Sequence, residues 1–446
     1  MIRAKLGIGF AAIFFALVGF KGLKWHENQV FHWDKAGYYV YLPAAFIYND
    51  IDSLGFYPEM NRKYNLTSQD IDYYATYRQE STGKLLNKYS IGVAVLELPF
   101  FLAGHLTTLW TNDHPPDGFS TYYQASVLVA SIAWVIFGLM MLGRLLGRYF
   151  SESVVLTGLV LIATGTNLFY YTTFDAGMSH AFSFALFATC LNYSDLFYTK
   201  GRGVYLVVAA IFFGLIIITR PTNAVLGIVL LFWGIGSKYD CLTRIKLLKK
   251  HTRSVVVALL AFIAVLMIQL GYWKYITGEW IHYSYEEEGF NFLKPEIWNG
   301  LLSYRKGWFV YTPLALVCII GLVNLWRIFP KLFLGITTYL IVNVYIVFSW
   351  HQWYYGGGFG SRALIESYAV LSIPLTCFVA WVLTVRSKVL KSFVGMILVS
   401  LVVLNLWQSY QFSLGTIPWD HNNKEYYWRV FFKKHRTEED WKLLGL

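Results

Sequence analysis

Phe31-His32-Trp33-Asp34-Lys35-Ala36-Gly37-Tyr38-Tyr39 comes just after the first apolar segment of the chain, about residues 6–20, and roughly ten further apolar segments follow it. A carboxylate placed where the chain first leaves an apolar stretch, among aromatic neighbours, is costly to desolvate and tends to have a function. Composition agrees with a membrane setting. Of 446 residues, 56% are hydrophobic and only 14% charged, against roughly 25% charged in ordinary globular domains. Apolar runs near helix-spanning length point to α-helices rather than a β-barrel.

The net charge is +11, from 37 Lys and Arg against 26 Asp and Glu. Much of the excess falls in short loops, the pattern of cytoplasmic loops in a polytopic protein, so no nucleic-acid partner is implied. Cys190, Cys241, Cys318 and Cys377 lie in or beside apolar segments with no zinc-ligand spacing and no exposed pairing, which argues against a disulfide framework. Arg3 and Lys5 precede the first apolar core, and no small-x-small site stands before Lys21; the pattern predicts an uncleaved first helix.

Apolar segments fall at about 6–20, 91–109, 122–143, 153–171, 178–198, 204–219, 222–236, 254–273, 308–326, 332–349, 363–384 and 393–411. Inside loops are marked by Arg3 and Lys5, by Arg144 and Arg148, by Lys200 and Arg202, by the run from Lys238 to Arg253, by Arg327 and Lys331, and by Arg386, Lys388 and Lys391. These alternate correctly only if one segment does not cross. The segment 91–109 carries Glu97, Pro99, Gly104 and His105, which predicts a juxtamembrane or re-entrant helix. The expectation is an all-α integral membrane protein of about eleven spanning helices. Its transmembrane body would cover 1–411, with a first extracytoplasmic loop at about 21–121, and 412–446 would be a short extracytoplasmic tail.

Chemistry-bearing residues then gather on the outer face. Asp34 suits a general base or a group that polarises an acceptor nucleophile; a salt bridge to Lys35 or a helix cap is the plainer reading. Asp175 stands in the short corner Tyr171-Thr172-Thr173-Phe174-Asp175-Ala176-Gly177 and could cap the next helix, with His180 one turn inside it. The two could also share a proton or bind a divalent metal, Mg2+ or Mn2+. Lys88, Arg220, Arg305 and Lys306 are cations on the outer side. Interfacial snorkelling explains any one of them, but as a group they match the needs of a lipid phosphate. In Trp350-His351-Gln352-Trp353-Tyr354-Tyr355-Gly356-Gly357-Gly358-Phe359-Gly360-Ser361-Arg362 the glycines permit close backbone approach, and Trp353 and Tyr354 could stack on a sugar or sit in an aromatic belt. Glu286-Glu287-Glu288 reads as a solvated charge run, with a divalent-metal site as the lesser alternative.

This arrangement resembles the GT-C superfamily of membrane glycosyltransferases, and within it the bacterial family-39-like enzymes, relatives of protein O-mannosyltransferases and lipid A aminoarabinose transferases. The resemblance is carried by Trp33-Asp34 with Tyr38-Tyr39-Val40-Tyr41-Leu42-Pro43, by Lys88-Tyr89-Ser90-Ile91-Gly92 before Pro99-Phe100-Phe101, by Asp175, by Gly214 through Arg220-Pro221, and by Gly357-Gly358-Phe359-Gly360-Ser361-Arg362. It implies transfer of a sugar from a polyprenyl-phosphate donor to a protein, lipid or glycan acceptor at the outer face of the cytoplasmic (inner) membrane. Asp34, with Asp175 and His180, would be catalytic. Arg220, Lys88 and Arg305 would hold the donor phosphate, and Trp353, Tyr354 and Arg362 would bind substrate. A transporter or flippase for a lipid-linked glycan is the alternative; it would place its unusual charges near the membrane midplane rather than at one face.

Overall fold

Every apolar segment read from the sequence is helical. The computed structural model of the chain describes residues 2–22, 30–68 and 70–445, with side chains from Leu6 onward. Arg3 and Lys5, read above as inside charges, are therefore outside the residues whose side chains are described, as is the 23–29 part of the first loop. Among the described residues six helices are long and apolar enough to cross a bilayer: Gly92–Thr111, Thr121–Leu146, Thr252–Thr277, Pro330–Ser349, Ser367–Thr384 and Lys388–Ser413. Shorter apolar helices are Leu6–Gly22, Glu152–Gly165, Gly203–Thr219, Pro221–Phe232 and Leu314–Ile328. Ser179–Lys200 lies at the centre, buried along nearly its whole length. Thr252–Thr277 and Lys388–Ser413 expose rows of Val, Leu, Ile and Met, surfaces too apolar for contact with water.

Two features of the sequence shape the interior. Gly321 brings Leu314–Ile328 onto Ser367–Thr384 so closely that a Cβ there would lie 2.3 Å from the Pro374 carbonyl oxygen; small residues at membrane helix contacts allow such backbone approach. Pro221 then ends Gly203–Thr219, because the residue before a proline is driven out of the α region, and Arg220 is extended at φ −151°, ψ 111°. From there a 3-10 turn, Pro221–Leu226, runs into Gly227–Phe232. At about 2.0 and 1.5 Å per residue these cover about 21 Å, short of the roughly 30 Å hydrocarbon core. The segment expected at 222–236 is thus a broken, short helix.

The first loop holds the short helices Asp34–Tyr39, Tyr41–Phe46 and Tyr57–Tyr64 and an antiparallel hairpin, Thr76–Arg78 with Leu85–Asn87. By length and composition Gly92–Thr111 qualifies as a span, although the charge pattern reads it as non-crossing. It lies against Asp34–Tyr39 and Tyr41–Phe46, Trp134 donates to the Leu96 carbonyl (3.0 Å), and Gly104 sits beside Ser126. It packs along Thr121–Leu146 from Tyr122 to Trp134, and its start abuts the end of Gly203–Thr219, where a Cβ on Gly92 would lie 2.5 Å from the Ile218 carbonyl oxygen.

At the opposite end, Asp195 gathers three elements. It accepts from Arg148 Nε (2.7 Å), Tyr149 (2.6 Å) and Trp233 Nε1 (3.2 Å). Asp195→Ala leaves those donors without their acceptor, a cost of about 1–3 kcal/mol. A lower melting temperature in detergent, with the site at the other end undisturbed, is the expected result; an unchanged melting temperature contradicts it.

Candidate active site

Asp34 opens its helix behind a strained residue. Trp33 has φ 53°, uncommon for a bulky side chain, and its N–H donates to the Leu66 carbonyl (2.9 Å). The Asp34 carboxylate takes three donors: Tyr74 (2.9 Å) and Tyr89 (2.7 Å) on one oxygen, and an Arg362 guanidinium nitrogen (2.8 Å) on the other. The hairpin explains the two tyrosines. They flank its strands, and their hydroxyls meet at 3.4 Å. Burial opposes ionisation of Asp34, but Arg362 and the tyrosine hydroxyls outweigh it and hold the carboxyl below the usual carboxylate range. A carboxylate so loaded is a weak proton acceptor; it can fix a charge and orient a hydroxyl.

Arg362 reaches this position because of the glycines before it. A Cβ on Gly358 would lie 2.3 Å from the Tyr171 hydroxyl and 2.7 Å from Arg362 Cδ, and the Phe359 N–H donates to that same hydroxyl (2.7 Å). Only a residue without a side chain lets the segment wrap Tyr171 at this distance.

A second cluster stands beside the first. Arg220 Nη1 lies 2.8 and 3.1 Å from the two ring nitrogens of His180. His180 Nδ1 is 3.2 Å from Glu366 Oε2, and Glu366 Oε1 is 3.9 Å from Arg220. His180 and Glu366 are buried, whereas part of the Arg220 side chain is accessible. Tyr38 connects the clusters: its hydroxyl accepts from Ser179 (3.2 Å), its ring lies 4.5 Å from that of Tyr89, and it feels the charges of Arg220, Asp34 and Arg362 together. Lys88 closes the third side, paired with Glu288 and lying 5.0 Å from the ring centre of Tyr285. Glu288 therefore departs from the solvated run expected for Glu286-Glu287-Glu288, while its two neighbours are exposed as read.

The structure thus brings Asp34, Lys88, His180, Arg220 and Arg362 together. The other residues singled out in the sequence go elsewhere. Asp175 pairs with Lys35 at 2.7 Å, so Lys35 is not the partner of Asp34. Met178, not Asp175, is the N-cap of Ser179–Lys200. Arg305 forms a two-point pair with Asp420 (2.6 and 2.9 Å), which commits it to the chain's last segment, and stacks 3.5 Å over Tyr354. Trp353 is part-buried against Tyr354 and the core. Among the described residues no three His, Cys, Asp or Glu side chains converge as a metal site. Asp175 is partnered by Lys35, and His180 by Arg220 and Glu366.

Glu366, Tyr74 and Tyr89 were not read as site residues from the sequence, and Glu288 only within the lesser metal reading of its acidic run. Glu366 had a signal: it is the single acidic residue of the apolar segment 363–384, four positions after Arg362, and an acid in such a segment is a functional candidate by default.

No protein-family model matches the chain, and no curated protein matches it. Its fold is similar to that of the archaeal oligosaccharyltransferase AglB from Archaeoglobus fulgidus, solved in complex with an inhibitory peptide and a dolichol-phosphate. The likeness has a TM-score of 0.53 at 10% identity and covers 99% of this chain and 59% of that one. The fold is therefore GT-C-like. The chain spans under two thirds of that protein's length.

Gly358→Ala forces its methyl against Tyr171 and Arg362, an overpacking cost of about 1–3 kcal/mol; the expected readout is a lower melting temperature, and none would mean the segment has room to yield. A pH dependence arises at Lys306, which is 2% exposed and donates to the Gly358 carbonyl and to the Trp419 carbonyl (2.6 Å). Burial pushes its ammonium from 10.5 down to about 7, against the pull of Asp420 and with help from Arg362 and Arg305. Below about 7 the lysine is charged both folded and unfolded. Between about 7 and 10.5 it is neutral only when folded, so unfolding takes up a proton and unfolding free energy rises with pH. The melting temperature of the wild type relative to Lys306→Met should be level below about pH 7 and climb towards about pH 9; a level difference throughout contradicts the assignment.

Proposed function

We propose that the chain is a glycosyltransferase that moves a sugar from a polyprenyl-phosphate donor to a hydroxyl of a protein, lipid or glycan acceptor, at the outer face of the cytoplasmic membrane, as in the bacterial family-39-like enzymes it resembles. The observation that carries this reading is the convergence, on a GT-C-like fold, of the ionised Asp34–Arg362 pair with the partly accessible guanidinium of Arg220. The dolichol-phosphate in the archaeal structure supports a lipid phosphate as the donor's leaving group.

In this reading the polyprenyl tail lies in the bilayer and the phosphate meets Arg220, whose planar donors suit phosphate oxygens. Lys88 stands next to it. The acceptor oxygen attacks the anomeric carbon, the bond from that carbon to the phosphate oxygen breaks, and the lipid phosphate leaves with the electron pair. The acceptor proton passes to water or to the departing phosphate. Asp34 holds the acceptor hydroxyl by its remaining lone pair and stabilises positive charge growing at the anomeric carbon. One displacement inverts the configuration.

Purified protein in nanodiscs, offered a panel of polyprenyl-phosphate sugars, tests the reading. Asp34→Asn should lower kcat/KM by about 100-fold or more at wild-type folding. Arg220→Gln should raise the donor KM about tenfold. Turnover that survives Asp34→Asn removes Asp34 from the centre of the reaction, and a wild type inactive with every donor and acceptor overturns the transferase reading.

A further inference from the structure

The C-terminal segment after Ser413 folds back onto the loop face. Gln411 Nε2 donates to the Val430 and Lys433 carbonyls (both 2.8 Å), Gln408 Nε2 to the Tyr427 hydroxyl (2.6 Å), and the Tyr426 hydroxyl to the Thr416 carbonyl (2.7 Å). Asp440, fully buried, pairs with Lys433 and Arg429. The segment is a folded part of the protein, and it touches the Gly-rich segment that carries Arg362. Trp419 packs on Gly357, where a Cβ would lie 3.3 Å from the indole ring.

We propose that Lys306 is a positioning residue that makes the C-terminal segment part of the active site: it ties that segment to the Gly-rich segment and so holds Arg362 against Asp34. Its Nζ reaches the Gly358 carbonyl on one side and the Trp419 carbonyl on the other, and its own carbonyl accepts from Ser361 (2.7 Å). One residue thereby grips the Gly-rich segment at both ends. The opposite side of that segment rests on Tyr171. Around Lys306 the grip is reinforced by the Arg305–Asp420 pair and by Asn422, which donates to the hydroxyl (2.6 Å) of Tyr311, a residue whose Cβ end lies beside Gly360. A buried lysine satisfied mainly by carbonyls is a costly way to join two segments where an apolar contact would serve. Its use here makes sense if the position of both segments matters more than the free energy of joining them.

The catalytic importance of Arg362 rests on the glycosyltransfer reading; the tie itself does not. Hydrogen exchange on the full-length protein in nanodiscs separates the two. In Lys306→Met, amides of 356–362 and 416–422 should exchange about tenfold faster or more, while Ser179–Lys200 keeps its wild-type protection. Unchanged exchange in both segments overturns the proposal. Should Lys306→Met fail to fold, Lys306→Gln keeps a shorter polar group that cannot reach both carbonyls and should speed exchange several-fold in the same two segments; no change there overturns it equally. Per folded molecule, Lys306→Met should lower kcat about tenfold or more with the donor KM within about twofold, and Lys306→Arg should recover most of kcat; loss of turnover in Lys306→Arg with its two segments fully protected overturns the positioning role. A wild type without turnover, together with the exchange change, supports the tie and counts only against the transferase reading.

Discussion

The pair between Asp34 and Arg362 joins residues 328 positions apart, and much of the loop face is arranged so that the two can meet. Desolvating a carboxylate and a guanidinium is repaid only when the geometry is good and the remaining lone pairs find donors. Both conditions are met by distant parts of the chain. The hairpin brings Tyr74 and Tyr89 to one oxygen, the strained Trp33 starts the helix at the right place, and the absent side chain of Gly358 lets Arg362 approach past Tyr171.

The surrounding cations are held in the same manner. Lys88 has Glu288, Lys35 has Asp175, Arg305 has Asp420, and Arg220 has His180 with Glu366 somewhat farther away. Opposite charges so distributed keep each cation in a defined place without leaving an uncompensated charge near lipid. Arg220 differs from the rest because its carboxylate lies at 3.9 Å while part of its side chain is accessible. An incoming anion therefore displaces least at Arg220.

Such an arrangement has two supports of different kinds. The membrane helices supply rigid positions for His180, Arg220 and Glu366, set by close backbone contacts and by a proline that ends one helix where the arginine is needed. The loops supply Asp34, Lys88 and Arg362, and these depend on polar ties: the hairpin, the Tyr171 hydroxyl and Lys306. Loop positions carried by hydrogen bonds open at lower free energy than packed helices, so changes in the ties act on the site before they act on the fold.

Hydropathy and charge by themselves determined the membrane class, the positions of the helices and the face on which the unusual residues gather, because burial in lipid demands long apolar helices and excludes charge. Local stereochemistry was legible too: Pro221 ends a helix, and the glycines before Arg362 mark a close approach. The partners of the charges were decided by tertiary structure. Asp34 stands next to Lys35 in the chain but bonds Arg362, and Asp175 and His180 share a stretch of sequence but not a partner. Arg305 and Tyr354 looked available, but Arg305 is engaged by Asp420 and Tyr354 lies under Arg305, while Glu366 and Glu288 entered the site from segments read as apolar or solvated. The physical reason is that a helix or turn is specified by neighbours a few residues away, whereas an ion pair is specified by whichever opposite charge the packed chain brings within about 3 Å, and that distance has no counterpart in sequence order.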